Sequence, residues 1–151
     1  MDPSVQNKSL YERESMARSV WYVVHAALEA ESVQQRGVVF IGYPRNTQLS
    51  QMDRALVKIN VDSFKGCLPI RLSAMHMCHP PTFFQVIFPF VKMLMGERLR
   101  KRLKVHAGQN DVVLKKLEKY GLTLDKVPTD IGGAVVLNHT DWLAKRKEMG
   151  K

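Results

Sequence analysis

The chain has 151 residues and is strongly basic, with 23 Lys and Arg against 14 Asp and Glu and a net charge of +9. This charge favours an acidic partner, either nucleic acid or an anionic membrane, and does not choose between the two. No segment reaches the roughly 18 to 20 apolar residues that a membrane-spanning helix needs, and the first residues lack the basic and apolar regions of a secretory signal.

The first part of the sequence predicts a helix, a strand and a second helix. Residues 9–12 have the Ser-x-x-Glu pattern of a capping box, which opens a helix that ends at Gly37. The short apolar run over residues 38–41 predicts a buried strand, and Ser50 with Asp53 opens the second helix. The apolar residues of these two helices recur at spacings of three and four: Met16, Val20, Val23 and Ala27, then Met52, Leu56 and Ile59.

The same alternation continues to the end of the sequence. Asn110 caps a helix that stops at Gly121, and a basic tail helix starts near Asp141. Further strands are expected at residues 70–77, 103–106 and 134–137. Alternating helices and strands predict an α/β fold with a largely parallel sheet and helices packed around it.

Residues 82–95 are apolar on nearly every side, and a cluster of cations follows them at residues 98–104. A helix that is hydrophobic all round is buried or faces lipid, whereas a basic cluster binds phosphate or an anionic surface. Together the two segments suggest a protein that handles an amphipathic lipid. Pro89 predicts a kink in the helix, which is either a hinged lid over an apolar cavity or a core helix that tolerates the kink.

Lipid contacts are expected from one face of the 70–77 strand and one face of the apolar helix. Alternate strand residues point to opposite sides of a sheet, and the pattern leaves open which side lines a cavity. On the helix, the aromatic residues are spaced by three and four and share one face. The residues that we predict to contact lipid are Leu72, Ala74, His76, Phe83, Phe84, Ile87, Phe88 and Val91. Ordinary core packing is the alternative for each of them.

Two arginines of the basic cluster have the spacing of a phosphate site. Arg98 and Arg102 are four residues apart, so on a helix both guanidinium groups would lie on one side and could hold one phosphate by bidentate hydrogen bonds. A solvated surface is the alternative interpretation.

Catalytic and metal sites are not expected. His76, Cys78 and His79 are close in sequence, but on a strand His79 points away from the other two, and no second cluster completes a tetrahedral site. The sequence has no Gly-x-Ser-x-Gly motif, no phosphate-binding glycine loop and no obvious pair of catalytic carboxylates. We therefore predict neither an enzyme nor a metal or organic cofactor. Cys67 and Cys78 are predicted to be free thiols in a reducing compartment.

Several short motifs, in this order and spacing, resemble a CRAL-TRIO domain, the family of the tocopherol and retinaldehyde carriers and of the yeast phosphatidylinositol-transfer protein. The motifs are Pro69-Ile70-Arg71, Met75-His76-Met77, Pro81 with Phe83-Phe84, Lys104-Val105-His106, Val127-Pro128 and Ile131-Gly132-Gly133. The resemblance covers roughly residues 37–137. His79 stands where many members have an asparagine.

The resemblance implies a lipid pocket under a mobile apolar gate helix, and binding and transfer of a phospholipid, phosphoinositide or isoprenoid. Arg71, Arg98 and Arg102 stand where several members carry cations that contact phosphoinositide head groups. The implied protein is a cytoplasmic monomer, peripheral on anionic membranes, with a bound lipid in place of a cofactor. It would comprise a helical segment (1–36), the lipid-binding core (37–138) and a basic tail helix (139–151).

Two other functions stay open. The charge also fits an α/β module that binds nucleic acid, although the aromatic residues and the cations lie in separate segments and form no stacking surface. The chain also looks N-terminally shortened for this family, because about 36 residues precede Val38 and members usually carry an upstream helical bundle and an additional early strand. It would then be an interaction domain without a ligand.

Overall fold

The computed structural model describes residue 4 and residues 6–151 of the chain. The chain divides into two compact units, residues 1–107 and residues 108–151, and this division falls within the predicted core of residues 37–138. Among the described residues, no helix is long and apolar enough to cross a membrane.

The first unit begins with two helices where the sequence predicts one. Helix α1 spans Arg13–Ala27 and helix α2 spans Glu31–Arg36. The predicted capping box is wrong, because the Ser9 hydroxyl donates to Asn7 and α1 starts after Glu12 without a side-chain cap. Gly37 ends α2 with a φ of 89°, and a Cβ at this position would lie 2.3 Å from the carbonyl oxygen of Arg71. Only a glycine therefore lets the chain enter the sheet here.

Three parallel strands form the sheet, in the order β1-β2-β3. Strand β1 spans Val38–Gly42, β2 spans Leu72–Cys78 and β3 spans Leu103–His106. The predicted α/β fold with a parallel sheet is confirmed. Its strands are short and are connected by helices, as expected for a parallel sheet.

An irregularity at the start of β2 changes which way its side chains face. Val38 pairs with Leu72, but the next residue of β1 pairs with Ala74, so Ser73 is the extra residue of a bulge. The Ser73 hydroxyl donates to the carbonyl oxygen of Arg36. Leu72 packs against Met95 and Leu99 in the core of the first unit.

Helix α3, Arg54–Asp62, connects β1 to β2. Its N-cap is Asp53 rather than Ser50, and the Asp53 carboxylate accepts hydrogen bonds from the backbone N–H groups of Ala55 and Leu56. The Arg13 guanidinium also binds this carboxylate, at 2.8 Å. Burial alone would raise the pKa of Asp53, but the hydrogen bonds from Leu56 and Arg13 outweigh burial and lower it.

Helix α4, Phe84–Arg100, connects β2 to β3, and its backbone breaks at Gly96 rather than at Pro89. Gly96 has φ 68° and ψ 172°, a conformation that essentially only glycine adopts. The helix therefore does not break at Pro89, and a kink with helical torsion angles there stays a prediction. A proline fits helical torsion angles at the loss of one hydrogen bond, whereas the backbone at Gly96 leaves the helical region altogether.

The second unit contains α5, Asn110–Glu118, and α6, His139–Glu148. Gln109, and not the predicted Asn110, occupies the N-cap position of α5. The Asn138 side chain caps α6 by accepting a hydrogen bond from the backbone N–H of Asp141. The predicted strand at residues 134–137 is wrong. In the described part of this segment a single β-bridge joins Val135 to Pro128. The backbone here forms its hydrogen bonds with the turn over residues 124–129 instead of with a neighbouring strand. The apolar interior of this unit consists of Val113, Leu117, Val127 and Ile131.

Candidate lipid-binding cavity

A cavity of about 270 Å³ lies in the first unit, against one face of the sheet. Phe40 of β1, Met75 of β2 and Leu103 of β3 pair side by side across the three strands, and all three line the cavity together with Met77. These residues share a face because strand side chains alternate. The floor is therefore apolar on each strand, and its methionines can adapt to the shape of a ligand.

Helix α3 forms one wall of the cavity. Its lining residues recur at helical spacings of three and four, which places them on one face. They are Leu56, Val57, Asn60 and Val61, preceded by Asp53 and followed by Phe64. Phe64 meets Phe40 edge to face at 5.0 Å, and Val20 of α1 adds a further apolar contact. An apolar helix face and an apolar sheet face thus enclose the same space.

Helix α4 also lines the cavity, through Phe84, Val91, Met95 and Leu99. Its outer side carries apolar residues as well, because Val86 is 83% exposed and Met93 is 70% exposed. The helix is thus apolar both toward the cavity and toward solvent.

The opposite face of the sheet carries a buried pair of histidines. The rings of His76 and His106 stack with centroids 5.1 Å apart, and Nδ1 of His76 lies 2.8 Å from Nε2 of His106, so one of these nitrogens carries the shared proton. Burial, and then the positive charges of His106 and Lys104, lower the pKa of His76 to about 4. At physiological pH His76 is therefore neutral.

No cluster of three or more His, Cys, Asp or Glu side chains within the described ranges could hold a metal ion. His79 ends β2 with a φ of 51°, a left-handed conformation in which Asn and His are enriched. This explains how a histidine can stand where family members have an asparagine. Both cysteines are free, as predicted, and burial raises the pKa of the Cys78 thiol to about 11.

The three predicted head-group arginines lie near one edge of the first unit. Arg71 precedes β2, Arg102 precedes β3, and Arg98 lies in the last turn of α4. Arg71 and Arg98 are exposed, and none of the three forms an ion pair with a described residue. Arg102 lies beyond the end of α4 and donates to the carbonyl oxygen of Ser73 at 3.3 Å. The predicted pairing of Arg98 and Arg102 on one helical turn is therefore not formed.

A family model described as "CRAL/TRIO domain" matches residues 1–133. The chain belongs to the CRAL-TRIO family. It is 23% identical over 137 residues to the human alpha-tocopherol transfer protein-like protein, covering 85% of this chain. Over 126 residues it is 23% identical to the mouse tyrosine-protein phosphatase non-receptor type 9, covering 83% of this chain. Among solved structures, Sfh5 is similar with a TM-score of 0.49 and 16% identity, over 77% of this chain and 44% of that chain.

This CRAL-TRIO chain spans a minor part of these relatives. It covers 40% of the tocopherol transfer protein-like protein and 20% of the phosphatase. The matched part of the phosphatase is a fifth of that protein, so the likeness carries no phosphatase activity to this chain.

The structure brings together some of the predicted lipid contacts of the CRAL-TRIO core. Phe83, Phe84 and Val91 line the cavity. Ile87 lines a second cavity of about 200 Å³, which shares Phe83 with the first, and Phe88 packs on Phe84 at 5.1 Å. Leu72, Ala74 and His76 do not line the cavity: Leu72 lies in the core beside it, and the side chains of Ala74 and His76 point to the opposite face of the sheet.

Sequence reasoning missed the lining residues of the floor and of α3. These are Phe40, Met75, Met77, Val57, Asn60 and Val61. Alternate residues of β2 form two sets that face opposite sides of the sheet. Met75 and Met77 belong to the set that we did not predict to contact lipid. For α3, the spacing of three and four from Leu56 would have identified the inward face.

Proposed function

We propose that this CRAL-TRIO chain binds one hydrophobic lipid in the cavity and docks on anionic membranes through Arg71 and Arg98. The proposal of lipid binding rests on the apolar cavity between the sheet face and helices α3 and α4. The ligand class follows the family resemblance: a phospholipid, a phosphoinositide or an isoprenoid.

The cavity volume sets the size of the buried part of the ligand. A volume of about 270 Å³ holds roughly nine methylene-sized groups, if each is given the roughly 30 Å³ share of one water molecule. Burial of nine such groups is worth about 7 kcal/mol before ordering costs, at about 0.8 kcal/mol for each. A complete phospholipid needs more room than this, so α4 must move outward to admit one. The break at Gly96 is the natural hinge for that motion.

Uptake of a fluorescent acyl lipid tests the cavity. Val57→Phe fills the cavity from α3, so we expect uptake to fall at least tenfold while the protein stays folded. Val136→Phe is the matched control, because Val136 is 77% exposed and lies in the second unit. If folded wild-type protein takes up no lipid, and none is found in its organic extract by mass spectrometry, the chain is an interaction domain without ligand.

Sedimentation with vesicles tests the docking surface. Reversing Arg71 and Arg98 to Glu removes two exposed cations, each worth about 1 kcal/mol near an anionic surface, so binding should weaken by roughly thirtyfold or more. Reversing Lys145 and Lys147 in α6 changes the net charge equally and is the control. Equal loss in both variants would show a general charge effect. Competition by an oligonucleotide at low micromolar concentration would favour the nucleic-acid alternative.

A further inference from the structure

The second cavity, of about 200 Å³, lies in the first unit between α4 and the start of α3. Its residues on and just before α4 recur at spacings of three and four, so they form one stripe along that helix. The stripe consists of Phe83, Val86, Ile87 and Phe90, and Leu49 lines the same cavity from the short 3₁₀ helix that precedes α3. Apart from Phe83, the first cavity uses other residues of α4.

Among the described residues, Arg54 alone brings a charge to the lining of the second cavity. Its guanidinium carbon lies 5.7 Å from the centroid of the Phe90 ring, and the side chain is exposed. It forms no ion pair with a described residue. Arg54 is the first residue of α3, where a cation opposes the helix dipole. Its charge therefore does not stabilise the helix that carries it, and it remains available to a ligand.

An apolar cavity with one unpaired cation fits an apolar chain that ends in one anion. We propose that the second cavity binds a single-chain carboxylic acid lipid, with the carboxylate on Arg54 and the chain along the α4 stripe. A planar guanidinium matches a carboxylate by two parallel hydrogen bonds. A volume of about 200 Å³ holds roughly six or seven methylene-sized groups, at roughly 30 Å³ for each. This is room for one short chain and not for the two chains of a phospholipid.

The first cavity does not suit the same ligand. Among the described residues, the only charged member of its lining is an acid, Asp53. A carboxylate placed there would lose its water without gaining a cation as partner, which is costly. The preference for an anion therefore distinguishes the two cavities.

Occupation of the second cavity holds α4 in place. The chain contacts α4 along the stripe, while the carboxylate contacts α3 through Arg54, so the ligand joins the two helices. When α4 moves outward at Gly96, the stripe separates from Arg54 and these contacts are lost. A ligand that binds only the closed form lowers the population of the open form. The carboxylate therefore slows lipid exchange in the first cavity; this effect rests on the proposed function, whereas the site itself does not.

Octanoate and octanamide test the site by calorimetric titration at neutral pH, because they are similar in size and differ in charge. We expect octanoate to bind wild-type protein about tenfold more tightly, which corresponds to about 1.4 kcal/mol. Arg54→Gln should reduce this preference below about threefold. Arg45→Gln is the matched control, because it removes an exposed arginine that lines neither cavity. Val57→Phe, which fills the first cavity, should keep the full preference.

A second pair of variants tests the apolar stripe. Val86→Glu places a like charge beside the carboxylate site, so octanoate should bind at least tenfold more weakly. Met93→Glu is the control, because Met93 is exposed on the same helix and lines neither cavity. Val86 is exposed as well, so we expect both variants to fold.

Transfer of a fluorescent acyl lipid from the protein to neutral vesicles tests the effect on α4. At a concentration that saturates wild-type protein in the titration, octanoate should slow the transfer at least threefold relative to the same concentration of octanamide. The two compounds should give equal rates in Arg54→Gln.

Equal binding of octanoate and octanamide to wild-type protein, or an unchanged preference in Arg54→Gln, overturns the site. Loss of octanoate binding in folded Val57→Phe places the ligand in the first cavity and also overturns the site. Equal transfer rates with the two compounds in wild type overturn the effect on α4. If folded wild-type protein takes up no fluorescent lipid, the proposed function fails and the effect on α4 fails with it, while the octanoate titration still decides the site.

Discussion

Acidification should destabilise the first unit through His76. The pKa of this buried histidine is about 4 in the folded protein, against an ordinary value of 6.5. Between these two values the unfolded chain binds more protons than the folded one. The stabilisation is therefore complete above about pH 6.5 and is lost as the pH falls toward 4. Applying the linkage relation to the two pKa values, we expect a loss of about 2 kcal/mol between about pH 7.5 and about pH 5.

Urea unfolding followed by tryptophan fluorescence measures this loss, provided that the signal comes from the correct unit. Trp21 lies in α1 of the first unit and Trp142 in α6 of the second, so the experiment uses a Trp142→Phe background. The transition midpoint is the quantity to compare. The intensity is unsuitable because the His25 ring lies 6.4 Å from the Trp21 ring, so the signal does not report unfolding alone.

His76→Gln removes the titrating group. Between about pH 7.5 and about pH 5, the free energy of unfolding of this variant should therefore fall by about 2 kcal/mol less than that of wild type. His139→Gln, at an exposed position in α6, is the control and should retain the wild-type dependence. If wild type is equally stable at both pH values, or if His76→Gln keeps its full pH dependence, the assignment of the effect to the buried His76–His106 pair is wrong.

Two further predictions use the same unfolding assay, with Trp21 as the probe. Gly96→Ala should cost about 1 to 3 kcal/mol, because the backbone conformation at Gly96 is strained for any residue with a Cβ, whereas Gly66→Ala at an open, exposed position should change little. Asp53→Ala should cost about 1 to 2 kcal/mol, because it removes the N-cap of α3 and the partner of an arginine. Asp62→Ala removes only the exposed ion pairs with Lys58 and Lys65 and should cost less than Asp53→Ala; equal losses at both aspartates would contradict the capping role.

Two of the three strands have a clear local signal in the sequence. The 38–41 and 103–106 strands were predicted because short apolar runs bounded by loop residues are a local signal, and the structure forms Val38–Gly42 and Leu103–His106. Residues 134–137 gave a similar signal but form no strand, because a strand also needs a neighbour, and the hydrogen bonds there close a turn. The break at Gly96 was not predicted, because a glycine permits a non-helical backbone without requiring one, whereas the ring of Pro89 fixes a φ that a helix accepts.

The sequence by itself determined the family resemblance, the alternation of helices and strands, and the apolar character of α4, because these depend on composition, on short motifs and on periods along the chain. Only the tertiary structure decided which face of β2 lines the cavity. Side chains of a strand alternate with a period of two, so a single bulge at Ser73 and the packing of α3 and α4 determine which set points inward.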